Sequence, residues 1–124
     1  MIAIDTSSMI AYLSGDNGSD VVYVGQALEQ HQAVFPPVVL VELLSDPLLT
    51  SSTKNLFQEI PLLDPQPLFW QRGGLLRAKI ISKGFKARLA DTLIAQSCLD
   101  HHVSLITRDR DFRHFKNFGL KLLV

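Results

Sequence analysis

The sequence predicts an α/β fold with a largely parallel central sheet. Two observations carry that expectation. Short apolar runs of strand length alternate with longer runs at helical spacing, and 124 residues suffice for one domain with a real core but are few for two. Residues 1–124 therefore read as a single domain. No internal repeat, low-complexity tract or linker divides them.

The first run, "MIAID", is of strand type and ends at Asp5. In "TSSMIAYLS", Thr6, Ser7 or Ser8 offers an N-cap and Met9, Ile10 and Leu13 recur at helical spacing, until "GDNG" stops the helix. "SDVVYVGQALEQH" reads as a second helix and "AVFP" as a short strand. "PPVVLVELLSD" places Pro37 where a helix begins, and Glu42 is the lone acid among Val38, Val39, Val41, Leu43 and Leu44. "TSSTKNLFQEI" is another capped helix, "PLLD" a short strand, and "LFWQRGGLLRAKIISKG" a longer helix weakened by Gly73 and Gly74. "ARLADTLIAQSCLDHH" sets Leu89, Leu93, Ile94 and Cys98 on one face and carries one acid, Asp91, in its first turns. "VSLIT" is a buried strand, "RDRDFRHF" a loop entering a short helix, and "LKLLV" a closing strand.

Composition narrows the class. A hydrophobic content of 47%, with only 7 Gly and 6 Pro, excludes a disordered or fibrous chain. The single cysteine, Cys98, excludes an internal disulfide and a Cys-based zinc cluster, so a reducing compartment, the cytoplasm, is expected. "MIAIDTSSMIAYLSGD" lacks the basic start of a signal peptide, and no window approaches the length of a membrane span. Formal net charge is +0, but its distribution is lopsided. Up to Leu62 one basic residue faces seven acids, whereas from Leu63 onward eleven basic residues face five acids. That asymmetry points to an anionic partner for the second half.

Four carboxylates stand out. Asp5 and Asp109 follow strands, and ligands of parallel sheets bind outside the carboxyl ends of the strands. Glu42 and Asp91 lie in otherwise apolar helical faces, where an unpaired charge is costly unless something compensates it. A divalent cation would do so, and oxygen ligands with no competing Cys/His set suit Mg²⁺ or Mn²⁺. The matching chemistry is metal-assisted phosphodiester hydrolysis, with one carboxylate accepting a proton from water and nearby Arg and Lys gripping phosphates.

Each feature also has a plainer explanation. Asp5 and Asp91 sit where acids complement a helix dipole, and Glu42 fits a solvated stripe. Asp109 and Asp111 have arginines on every side, and for Asp111 simple pairing with them is the favoured expectation. Lys79, Lys83, Lys86 and Arg88 form either a ridge facing RNA or a solvated helix end. His101 and His102 suit a helix C-terminus. Phe69 and Trp70 are expected in the core or in an interface between copies, and Cys98 as a small buried residue.

Taken in order, "IDTSSMIAYL", "PPVVLVELLS" and "RLADTLIAQSCLDHHVSLITRDRDF" resemble the PIN-domain nucleases, specifically the VapC-type toxins of prokaryotic toxin–antitoxin pairs. The resemblance runs from Met1 nearly to Val124; each motif alone is weak and the ordered set is strong. It implies a three-layer α/β/α fold and a Mg²⁺ or Mn²⁺ pocket. It also implies endoribonuclease activity, a homodimer, and neutralisation by a small antitoxin of VapB type. The catalytic metal-site acids it implies are Asp5, Glu42, Asp91 and Asp109, with Asp111 second to Asp109 because the family varies in which acid of "TxDxDF" reaches the pocket. Thr6 and Thr107 match supporting polar positions. Lys83, Lys86, Arg88, Arg108, Arg110 and Arg113 are the residues expected to meet RNA.

Two other classes stay open at this point. A catalytically silent PIN-like module would bind RNA or protein without cleaving anything. A phosphotransfer domain would use Asp5 as its nucleophile. Ser7 stands where such phosphatases usually carry a second aspartate, which ranks that reading last.

Overall fold

The computed structural model describes all residues, Met1–Val124. Its centre is β1 (Ile2–Ile4), flanked in parallel by β2 (Ala33–Val34) on one side and β3 (Ser104–Ile106) on the other. Between β1 and β2 run α1 (Thr6–Leu13) and α2 (Ser19–Glu29). Between β2 and β3 run α3 (Pro37–Leu44), α4 (Ser51–Glu59), α5 (Phe69–Ser82) and α6 (Leu89–His101). The alternation of strand-length and helix-length runs thus gives a parallel α/β sheet, as expected.

Two expected strands are shorter than their apolar content suggests. "PLLD" and "LKLLV" each contribute one parallel bridge, Phe35 with Leu62 and Leu105 with Leu122. Pro61 and Pro65 remove donors around the first, and Leu123 is exposed in the second, so longer pairing would gain little burial. The core behind the sheet is dominated by fully buried Ile4, Phe35, Phe57, Ile94, Ile106, Phe112 and Phe115.

Helix faces depart from the simple spacing in informative places. In α1 the buried residues are Ser8, Met9 and Ala11, while Ile10 and Leu13 face solvent. Its N-cap is Asp5 rather than Thr6, Ser7 or Ser8, and no side chain caps it, because the Asp5 carboxylate is used elsewhere. In α5 Phe69 is buried as expected, whereas Trp70 is 64% exposed. In α6 Ile94 and Cys98 are buried, but Leu89 projects outward.

After β3 the chain forms a 3₁₀ helix, Arg110–Phe118, where the sequence reading expected a loop and a short helix. Runs of nine such residues are uncommon, since the hydrogen-bond geometry is poorer than in an α-helix. The sequence accounts for it. "RDF", "RHF" and "KNF" repeat every three residues, and with three residues per turn positions i and i+3 eclipse. Phe112, Phe115 and Phe118 therefore form one row, with the first two wholly buried. Arg110, Arg113 and Lys116 form an exposed row, and Asp111, His114 and Asn117 the third.

Candidate metal centre

The register of β1 against β3 sets Ile4 opposite Ile106, which brings the next residues, Asp5 and Thr107, abreast at the carboxyl edge. The Asp5 N–H donates to the Ile106 carbonyl at 2.9 Å. Its Oδ2 accepts from the Thr107 hydroxyl at 2.8 Å and from the Ser7 hydroxyl at 2.7 Å. Asp5 is only 4% exposed. Burial pushes its pKa up, the hydrogen bonds from Ser7 and Thr107 oppose that, and the charge of Glu42 adds to it.

Glu42, an exposed side chain on α3, accepts from the Thr6 hydroxyl at 2.7 Å, which links the last turn of α3 to the start of α1 across 36 residues of chain. From the other side, Asp109 is held by its backbone: its N–H donates to Thr107 Oγ1 at 3.0 Å. One Asp109 oxygen also accepts from the Asp111 N–H at 2.9 Å, capping the 3₁₀ helix.

Asp91 enters from the first turn of α6. Oxygens of Asp91, Asp109 and Asp111 all lie within 4.8 Å of one another. Burial first, then the charges of Asp109, Asp5 and Glu42, push the Asp91 pKa up to about 6, with Arg88 pulling the other way. The four acids singled out from sequence thus act on one another through space. Asp111 joins them more closely than expected: it forms no ion pair with any arginine. The eclipsed 3₁₀ rows explain that correction, because they turn Asp111 away from Arg110 and Arg113 and toward Asp91.

The basic residues divide into two groups. Arg108 is committed internally: its guanidinium grips both Asp20 oxygens, at 2.8 and 3.0 Å, reaches the Asn17 carbonyl at 3.1 Å and lies 3.6 Å from Asp16. Asp20, 5% exposed at the head of α2, also accepts from Ser8 at 2.8 Å. Asp20 does not stand out in the sequence, where an acid beginning a helix looks like ordinary capping, and Ser8, a candidate N-cap by sequence, serves instead as its buried donor. Lys86, Arg88, Arg110 and Arg113 are exposed and form no ion pair. Lys83 sits over the Phe118 ring at 4.9 Å, and Phe85 stacks on His114 at 4.9 Å. These contacts dock the segment leading to Asp91 against the segment leaving Asp109.

The donor set is all oxygen, converges from β1, α3, α6 and the end of β3, and leaves its mutual repulsion unneutralised by any cationic side chain except Arg88. Such a set fits a hard divalent cation. A parallel α/β sheet that gathers carboxylates at its carboxyl edge defines the class of this protein. The chain belongs to the PIN-domain family, whose model matches residues 2–117; PIN domains are generally nucleases that use divalent metals.

Among solved structures, the chain is similar to one from the crystal structure of FitAcB from Neisseria gonorrhoeae. The TM-score is 0.71 at 21% identity, covering 100% of this chain and 97% of the other. It is likewise similar to a chain in the structure of FitAB bound to the IR36 DNA fragment, with a TM-score of 0.72 at 21% identity over 99% and 94% of the two chains. No curated protein matches it. No helix is long and apolar enough to cross a membrane.

Proposed function

We propose that the protein is a metal-dependent endoribonuclease, the toxin of a toxin–antitoxin pair, of VapC type. The observation that carries this reading is the convergence of Asp5, Glu42, Asp91 and Asp109, with Asp111, at the carboxyl edge of β1 and β3. Asp91, Asp109 and Asp111 would hold Mg²⁺ or Mn²⁺ directly, with Asp5 and Glu42 completing the pocket. When bound there, the cation supplies Lewis acidity and a water of lowered pKa.

The chain's own groups supply the rest. Thr107 and Ser7 fix the Asp5 carboxylate in one orientation, and Thr6 does the same for Glu42. Asp91, crowded by the charges of Asp109, Asp5 and Glu42, carries the repulsion that a bound cation would relieve. The motif order along the chain supports the toxin reading, which brings with it a VapB-type antitoxin, a homodimer and a cytoplasmic setting.

The test is cleavage of total cellular RNA by the purified protein with Mg²⁺, Mn²⁺ or EDTA, beside an Asp5→Asn protein prepared identically. Discrete bands that need metal and vanish in the variant are expected. Identical behaviour of the two proteins would overturn the nuclease and leave a silent binding module in its place.

A further inference from the structure

The exposed row of the 3₁₀ helix has no anionic partner in the fold; Arg113 Nε donates only to the Arg110 carbonyl, at 3.2 Å. Arg110, Arg113 and Lys116 form no ion pair, and together with Arg108 and Asp109 they line a cleft of ≈ 550 Å³. Arg108 is neutralised by Asp20 and Asp16, so the positive charge free to meet a ligand belongs to the three row members. At three residues per turn and a rise of about 2.0 Å, they stand about 6 Å apart in a straight line. The row starts one residue after Asp109, so anything lying along it is delivered to the Asp91, Asp109 and Asp111 oxygens.

We infer that this row is a track for the backbone of single-stranded RNA, with Arg110, Arg113 and Lys116 each meeting one phosphate; the inference rests on the nuclease reading and adds the path that the strand takes to the acids. Even spacing is what a polymer with one charge per repeat requires. An acidic protein segment, whose carboxylates sit on side chains of varied reach, gains nothing from it. The cleft's size favours a single strand over a duplex, and phosphate contacts position a strand without reading its bases.

Burial of the phenylalanine row holds the basic row in place. Phe112 and Phe115 anchor the opposite row in the core, so the three cations are presented on a rigid ridge rather than on a mobile loop. Ordering them on binding then costs only side-chain entropy.

The experiment is binding of a fluorescein-labelled twelve-residue oligouridylate in EDTA across a salt series. It compares the full chain, the triple variant Arg110→Gln/Arg113→Gln/Lys116→Gln, and a control, Lys54→Gln/Lys121→Gln, whose two lysines lie outside both the row and the ridge that ends at Arg88. Each phosphate neutralised contributes about 0.7 to the slope of log K against log salt for a single strand, so the triple variant is expected to lose about 2 from that slope while the control loses none. A wild-type slope in the triple variant, an equal loss in the control, or equal weakening for a duplex of the same length overturns the track. Because cleavage is not read, the two proposals separate. A protein that never cuts RNA but shows the slope change keeps the track and loses the nuclease. One that cuts RNA with the slope unchanged keeps the nuclease and loses the track.

Discussion

The Thr107 hydroxyl donates to Asp5 Oδ2 at 2.8 Å from 102 positions away in the sequence. Thr107 Oγ1 in turn accepts the Asp109 N–H at 3.0 Å, so the one Thr107 side chain locks two acids of the candidate centre together. Thr107→Val keeps the shape and removes both bonds. The expected cost is about 1–3 kcal/mol, because a buried carboxylate loses a donor and a backbone N–H loses its acceptor. Mn²⁺ affinity, read by calorimetry, should fall by about tenfold or more, as it does when groups supporting metal ligands are removed. Thr107→Ser should restore both. Equal metal affinity in the Val and Ser proteins would show that the hydroxyl only fills space.

Part of this arrangement was legible in the sequence because strand ends and lone acids are local signals. Asp5 and Asp109 announce themselves by following apolar runs, and Glu42 and Asp91 by interrupting them. The placement of Asp111 was not legible by the same means. "RDFRHFKNF" reads as a loop entering a short helix unless its repeat of three is seen, and only that period assigns Asp111 and the arginines to different rows. The Arg108–Asp20 pair was hidden for another reason: its partners are 88 residues apart, and nothing local distinguishes a buried acid at a helix start from an exposed one. The two outer strands were overread because apolar content does not reveal whether a neighbour exists to pair with.

Asp20 makes acid stability a direct probe of that hidden pair. Bidentate contact with Arg108 first, and the Ser8 hydrogen bond with it, hold the Asp20 pKa below the usual 3.8. A depressed folded-state pKa stabilises the fold above the unfolded value, and the gain disappears as pH falls through the folded one. The expected result is that wild type loses stability below about pH 4 more steeply than Asp20→Asn does. Chemical denaturation at pH 3 to 6 checks it. Parallel curves for the two proteins would count against the pair as a source of stability.

Cys98 should be chemically silent while the protein is folded. It is 1% exposed on α6, and burial pushes its thiol up to about 12, so thiolate is scarce at neutral pH and reagents have no path to it. A colorimetric disulfide reagent should label less than about a tenth of native protein in the time that labels denatured protein fully, roughly the limit set by local opening. Rapid labelling of the native chain would mean that α6, which carries Asp91 about two turns before Cys98, opens far more readily than its packing against the core implies.

Asp91 couples stability to function with opposite signs. Its folded pKa of about 6 lies above the usual 3.8, so ionising it works against the fold. The penalty is absent below about pH 4, grows through the interval and is complete above about pH 6; metal-free protein should therefore lose stability as pH rises across that window. At this partly open site, screening by water leaves about 1 kcal/mol of the effect. Asp91→Asn should melt at a higher temperature than wild type at pH 7 in EDTA and at nearly the same temperature at pH 4. Adding Mn²⁺ at pH 7 should reverse the order, since wild type gains about 2.7 kcal/mol at a hundredfold excess over Kd and the variant gains little. The variant should at the same time lose RNA cleavage. A wild type whose melting is flat from pH 4 to 7 and indifferent to Mn²⁺ would mean that the carboxylates are too far apart in solution to crowd one another. Both the stability penalty and the metal reading would then fall together, because each depends on the same repulsion among Asp91, Asp109, Asp5 and Glu42.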